Sequence, residues 1–180
     1  MLHFWKHYIS CLIWLLLSEI LCLILAFSFA ILSAAWIRWL SLACGVLAHV
    51  LLMGNCGRSA AQKDLAVYHT KKRKTSLLQP LLLGIGTALP LVILWLILKC
   101  NADSSLMLNL FLLLNAPYIQ YHRLILDGAE PFSAVSRTRQ LLMLLPPILT
   151  CAAVFIGYQF HYQREKAEFD VRKNGADPRA

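Results

Sequence analysis

Apolar residues occur along this chain in long blocks separated by short polar turns, whereas a soluble helix carries only an apolar stripe. A hydrocarbon core about 30 Å thick is crossed by about 20 helical residues. The pattern therefore predicts an all-α fold, a polytopic transmembrane helical bundle of about five spans. The predicted spans are 8–33, 37–53, 77–98, 105–121 and 141–160, in one domain over 1–163, with a polar, flexible tail at 164–180.

The first two predicted spans form a tight hairpin. Its turn carries Trp36 and Trp39 around Arg38, and indole rings favour the interface between membrane and water. A signal peptide is the alternative interpretation of the first span. We favour a span, because the apolar stretch is longer than the apolar region of a signal peptide, which has roughly 7–15 residues, and because it contains Glu19.

Prolines interrupt two of the predicted spans. Pro90 lies in the middle of the third, and Pro146 and Pro147 lie in the inner third of the fifth. A proline removes a helical hydrogen bond and clashes with the preceding turn, so both spans are predicted to kink. Prolines can also mark broken helices around a transporter's substrate site. We interpret these as plain kinks, which neighbouring helices tolerate.

A strongly basic gap, residues 54–76, separates the second and third predicted spans. It contains six Lys and Arg residues against one acid, Asp64. Basic loops stay in the cytoplasm, so the positive-inside rule predicts an inside N-terminus. Five spans then place the tail outside, where its five basic residues oppose the same rule. The predicted contacts for anionic lipid headgroups are Lys71, Lys72, Arg73 and Lys74.

Composition supports a membrane protein. The chain is 59% apolar, compared with about 45–50% for a soluble domain. The net charge of +8 could suggest nucleic acid, but the basic residues lie at the ends of apolar blocks, where they act as topology signals. Nucleic acid is therefore not an expected partner. The expected partners are the lipid bilayer, other membrane proteins or further copies of the chain.

Six cysteines are present without a Cys-x-x-Cys motif, and at least three lie inside apolar blocks. Cysteine behaves in this setting as a small buried hydrophobe. A disulfide framework is therefore not expected.

Glu19 is the most unusual residue, because a carboxyl group near the middle of a membrane should face protein or water. His49, in the second span, lies at a similar predicted depth. Small residues on the same faces would let the two helices approach closely. These predicted packing residues are Ala26, Ala30 and Ala34 in the first span and Ser41 and Gly45 in the second.

These positions predict a Glu19–His49 hydrogen bond or ion pair inside the first hairpin. As a functional site, the pair would be a proton relay or a cation site. As a structural feature, it would be a polar clasp between two helices. We favour the clasp, because one pair is thin support for transport.

His3, His7 and Cys11 repeat at a spacing of four and share one helical face. Imidazole and thiolate groups at this spacing can bind zinc or copper. No fourth ligand is evident, and histidines at a membrane interface explain the pattern better. We therefore predict no metal and no cofactor. No catalytic motif argues for an enzyme.

Three short segments carry a resemblance to known proteins: 55–64, Asp127-Gly128 followed by 131–136, and Gly157-Tyr158. In them the chain resembles small polytopic integral membrane proteins of Gram-positive, mostly clostridial, bacteria, whose function is uncharacterised. The resemblance implies a polytopic fold and a bacterial source, and it carries over no activity or functional residue; the expected location is the bacterial cytoplasmic membrane. The expected function is an accessory, scaffolding or assembly subunit of a membrane complex. The alternative is a small transporter or proton-coupled carrier that uses Glu19 and His49.

Overall fold

The computed structural model describes residues 2–30, 35–71, 78–128 and 131–173. All regular elements in these ranges are helical, which confirms the all-α bundle. The α-helices are α1 (Leu2–Ala30), α2 (Ala35–Lys71), α3 (Leu78–Cys100), α4 (Ser105–Leu113), α5 (Ile119–Leu126), α6 (Arg137–Leu142) and α7 (Leu145–Lys173), with 3₁₀ turns at Ala116–Tyr118 and Phe132–Ala134.

Four helical segments of the described chain are long and apolar enough to cross a membrane. α3, with 23 residues, is about 35 Å long, which matches a hydrocarbon core about 30 Å thick. The protein is therefore a multi-pass membrane protein. The four segments are Trp5–Phe29, Trp36–Val67, Leu78–Cys100 and Arg137–Phe169.

α1 and α2 form the predicted antiparallel hairpin. Cys11 of α1 is joined to Cys56 of α2, and Ser18 lies opposite His49. Positions on α1 therefore advance as positions on α2 decrease.

α7 runs parallel to α2. Thr150 bonds to His49, and eight residues later Tyr158 bonds to Asp64. α7 consequently ends at Lys173 at the same end of the bundle where α1 begins. We call this end, with Leu2 and Lys173, the N-terminal face.

The segment predicted as the fourth span, 105–121, is not one long helix. α4 ends at Leu113, and the chain turns through Ala116–Tyr118 into α5. Pro117 lies in this turn, and a proline disfavours helical backbone in the residue before it. α4 has nine residues and is only about 13 Å long, less than half the hydrocarbon thickness.

α4 and α5 form a re-entrant hairpin. α4 starts just after α3, and the amide of Ala116 at the hairpin tip reaches Glu19 in the middle of α1. α5 returns to the starting end, since Asp127 pairs with Arg139 and the segment between them bonds to Ala102. We call this end the hairpin face. The described chain thus has four long crossings rather than five.

The re-entrant hairpin also corrects the position of the tail. Five spans would place residues 164–180 opposite the N-terminus. Residues 164–173 instead continue α7 on the N-terminal face. They are helical, and 174–180 lie outside the described residues.

The two proline sites differ. Pro146 and Pro147 lie in the first turn of α7, after a two-residue break that follows α6. The predicted interruption of the fifth span is therefore this break, and a missing N–H is readily tolerated in the turn that follows it. Pro90 lies inside α3, which is helical on both sides of it.

The expectation of unpaired cysteines is wrong for one pair. Cys11 and Cys56 form a disulfide, with Cα atoms 5.7 Å apart. The antiparallel register of α1 and α2 places them opposite each other, within the Cα separation that a disulfide needs. Both are buried in the apolar core.

Glycines let α2 and α7 approach backbone to backbone. A Cβ atom on Gly57 would clash with the carbonyl oxygen of Val154 and lie 2.8 Å from the amide nitrogen of Tyr158. A Cβ atom on Gly54 would only touch the carbonyl oxygen of Ala153, at 3.9 Å. Close glycine packing is therefore found between α2 and α7, whereas small-residue packing was predicted inside the α1–α2 hairpin.

Gly57→Ala should lower the stability of the bundle by about 1–3 kcal/mol, because backbone atoms cannot move aside for the new methyl group. Gly54→Ala, one turn away, is the matched control and should be neutral or stabilising by up to about 1 kcal/mol through helix propensity. Thermal unfolding in detergent, followed by tryptophan fluorescence, measures both. Equal midpoints for the two variants would contradict the close α2–α7 contact.

Candidate functional site

Asp64 joins all four long helices at the N-terminal face. Its carboxylate accepts hydrogen bonds from Tyr158 Oη of α7 at 2.7 Å, Gln79 Nε2 of α3 at 2.9 Å and His7 Nε2 of α1 at 3.2 Å. The Asp64 side chain belongs to α2 and is almost fully buried. We call these four residues the Asp64 cluster.

In the sequence, Asp64 stands out as the single acid of the basic gap. Burying a carboxylate is costly unless donors compensate it, and here the donors come from three other helices. A signal was present, because Ala60, Ala61 and Leu65 form an apolar face that includes position 64. A single acid on an apolar helix face indicates that its carboxylate is buried and hydrogen-bonded by residues of other helices.

A second polar cluster lies at the level of the hairpin tip. His49 is 0% exposed, and its Nδ1 and Nε2 lie 2.8 Å from the Ser18 hydroxyl and 2.9 Å from the Thr150 hydroxyl. Thr150 donates its only hydroxyl proton to the Pro146 carbonyl at 2.9 Å. His49 must then donate to Thr150 through Nε2, while Nδ1 pairs with the Ser18 hydroxyl. His49 is therefore a clasp between α1 and α7.

Glu19 holds the tip of the re-entrant hairpin. Its Oε2 accepts a hydrogen bond from the backbone nitrogen of Ala116, the first residue of the 3₁₀ turn, with 2.9 Å between the two atoms. Its Oε1 is buried and has no hydrogen-bond partner among the residues described. Tyr118, in the same turn, packs edge-on against His49, with ring centroids 5.3 Å apart. We call Ser18, Glu19, His49, Ala116, Tyr118 and Thr150 the midplane cluster.

The predicted Glu19–His49 bond is not formed, because each side chain bonds elsewhere. Successive residues on a helix point about 100° apart. Ser18 is the residue that faces α2, and Glu19 consequently points toward the 3₁₀ turn. The predicted depth of Glu19 relative to His49 was correct to within one residue, because its neighbour Ser18 lies opposite His49. The predicted rotation of α1 about its axis was wrong.

The predicted packing residues have several roles. Ser41 and Gly45 are buried, as expected for the packed face of α2. A Cβ on Gly45 would lie 2.8 Å from the carbonyl oxygen of Pro117, so this glycine admits the hairpin tip rather than α1. Ala26 lines a groove beside α4 and α5. The Ala30 side chain and Ala34 lie outside the described residues.

The candidate metal ligands do not converge. His7 bonds to Asp64, and Cys11 is in the disulfide and offers no thiolate. The His3 side chain lies outside the described part of the structure, which contains no group of three or more potential metal ligands. Of the predicted lipid-contact run, Lys71 ends α2, and Lys72, Arg73 and Lys74 fall in the undescribed segment 72–77.

His122 is a buried polar residue that sequence analysis missed. Its ring packs against Phe111 and Tyr121, with centroids 4.9 and 5.5 Å away. Neither ring nitrogen has a hydrogen-bond partner within the described ranges. The sequence around His122 carries no signal for burial, because His122 lies between two predicted spans, in a segment that has the pattern of a polar loop.

No protein-family model, curated protein or solved structure matches this chain.

Asp64→Ala should destabilise the protein by about 3 kcal/mol or more, because hydrogen bonds to a charged group contribute about 1.5–3 kcal/mol each. Tyr158→Phe removes one of these bonds and should have a smaller effect. Glu165→Ala, at an exposed carboxylate on α7, is the control and should change stability by less than about 0.5 kcal/mol. Thermal unfolding in detergent ranks the three variants. An Asp64 variant no worse than the Glu165 variant would refute the cluster's structural role.

Proposed function

We propose that this protein is a non-enzymatic accessory or assembly subunit of a bacterial cytoplasmic membrane, with its N-terminus inside. The supporting observation is a seam on α7. Ile156, Gln159, Phe160 and Gln163 recur at i, i+3, i+4 and i+7 and form one open surface of this helix, with Arg164 at its end. Phe160 and Ile156 are 71% and 62% exposed.

Glutamines set this seam apart from an ordinary lipid-facing surface. Polar side chains hydrogen-bond between helices in membranes, whereas lipid tails offer them no partner. Gln159 lies between Tyr158 and Phe160 in the last part of the apolar segment of α7, and Gln163 lies one turn further on, where that segment becomes polar. A transmembrane helix of a partner subunit or a second copy would satisfy both amides and cover Phe160.

The polar clusters support a structural role. Both ring nitrogens of His49 and both carboxylate oxygens of Asp64 are engaged in bonds between helices. A carrier needs a polar site that exchanges partners, whereas these bonds hold the helices in one arrangement.

The inside N-terminus is supported by the charge on the two faces. Of the described basic residues, those toward the hairpin face are Arg38, Lys99, Arg123, Arg137 and Arg139. Those toward the N-terminal face are Lys6, Arg58, Lys63, Lys71, Arg164, Lys166, Arg172 and Lys173. Four crossings put both ends of the chain on the more basic side, so the tail no longer opposes the rule. The Cys11–Cys56 disulfide lies in the half of the bundle nearer the N-terminal face, and it opposes this orientation because disulfides are rare in the cytoplasm.

A reporter active only in the cytoplasm should be active when fused after Ala180, because α7 ends on the N-terminal face. The same reporter inserted between Asp127 and Gly128, in the exposed turn of the hairpin face, should be inactive. A complementary periplasmic reporter should give the opposite pattern. Opposite sides for Ala180 and the N-terminus would overturn the four-crossing topology.

Site-specific photocrosslinking in native membranes tests the assembly role. A crosslinker at Gln159 should give one discrete adduct, whose mass identifies a partner or a second copy. The matched control is Leu16 on α1, which is 62% exposed to lipid and should give none. Adducts of equal yield at both positions, or none at Gln159, would count against an assembly subunit.

The second candidate is a proton-coupled carrier centred on Glu19. The observations that favour it are the partnerless Oε1 and the broken α4–α5 pair, since discontinuous helices build the midplane sites of transporters. Proteoliposomes showing pH-gradient-driven flux that Glu19→Gln abolishes would decide for the carrier.

A further inference from the structure

A groove separates the C-terminal half of α1 from the re-entrant hairpin. Its volume is about 220 Å³, and it is walled by Leu23 and Phe27 of α1 and by Leu113 of α4. Three polar side chains also line it: Asn109 of α4, and Gln120 and Arg123 of α5. The groove therefore combines apolar walls with a cation and two amides.

Arg123 has no carboxylate partner among the described residues. Asp127, one turn further along, pairs instead with Arg139 at 3.5 Å. The Arg123 side chain is exposed and forms part of the groove lining. An arginine that faces lipid without a counter-ion is unfavourable, unless it reaches a headgroup or binds an anion.

The depth of Arg123 suits a headgroup. α5 returns toward the hairpin face, and Arg123 lies one helical turn, about 6 Å, before Asp127 at its end. A long arginine side chain spans that distance and places its guanidinium at the level of lipid phosphates. Leu23 lies about 6 Å deeper than Phe27 along α1 and continues the apolar wall toward the midplane.

We propose that this groove binds one anionic phospholipid of the leaflet on the hairpin face. The guanidinium of Arg123 binds the phosphate, and the amides of Asn109 and Gln120 donate to glycerol or ester oxygens. One acyl chain starts along Leu23, Phe27 and Leu113. The part of the groove that the structure describes carries no carboxylate for a choline or ethanolamine cation, so its charge favours an anionic lipid.

This site differs from the basic run at 71–74, because it lies on the opposite face and has a shaped apolar wall. It is independent of the proposed assembly role, which uses α7. A lipid held here would fill the space between α1 and the hairpin, next to Glu19 and its bond to Ala116.

Native mass spectrometry of the purified full-length protein tests the proposal, with phosphatidylglycerol or phosphatidylcholine added at equal concentration. The wild type should retain one phosphatidylglycerol and little phosphatidylcholine. Arg123→Gln should weaken phosphatidylglycerol binding at least about tenfold, through loss of a charge-assisted bond. Arg137→Gln is the matched control: it removes an exposed charge from the same face outside the groove and should bind as the wild type does.

A second variant closes the groove from its other wall. Ala26→Phe keeps every charge and should also lose the lipid, while thermal unfolding shows whether the fold survives. Millimolar inorganic phosphate should not displace the lipid, since the apolar wall contributes to binding. Equal lipid loss in both arginine variants, equal retention of phosphatidylcholine by the wild type, or displacement by phosphate would overturn the proposal.

Discussion

The buried carboxylate of Asp64 is the constraint around which the bundle is arranged. A carboxylate at the edge of a hydrocarbon core must be surrounded by donors, and no single helix can supply them. Tyr158, Gln79 and His7 therefore have to meet at one point, which fixes the relative height of α1, α2, α3 and α7. Packing between apolar helix surfaces does not by itself fix how far each helix is shifted along its own axis, because lipid tails are as apolar as the side chains they replace.

The same logic explains the ionisable residues at the midplane. A broken helix frees backbone groups that lipid cannot satisfy, so such a break must be buried against protein. Glu19 accepts the amide of Ala116 at the break, and Gly45 leaves room for the carbonyl of Pro117. Glu19 and the re-entrant hairpin are thus mutually dependent: the carboxyl group needs a donor, and the turn needs an acceptor.

The N-terminal face and the hairpin face of the bundle expose different surfaces. At the N-terminal face α2 and α7 continue side by side, with basic residues and the glutamine seam. At the hairpin face the short helices leave a groove against α1 that is polar at one end and apolar along its walls. The proposed partner helix and the proposed lipid therefore use different surfaces.

The sequence alone determined the fold class, the membrane environment, the first hairpin and the depths of Glu19 and His49, because all of these depend on composition and on distance along a helix. The tertiary structure decided which side chains meet. Helix rotation turned Ser18, rather than Glu19, toward His49, and antiparallel register joined Cys11 to Cys56. Local apolar content cannot distinguish a span from a re-entrant hairpin, since both must be apolar. The difference lies in whether the backbone around Pro117 finds a partner on another helix, and that partner, Glu19, is 97 positions before Ala116.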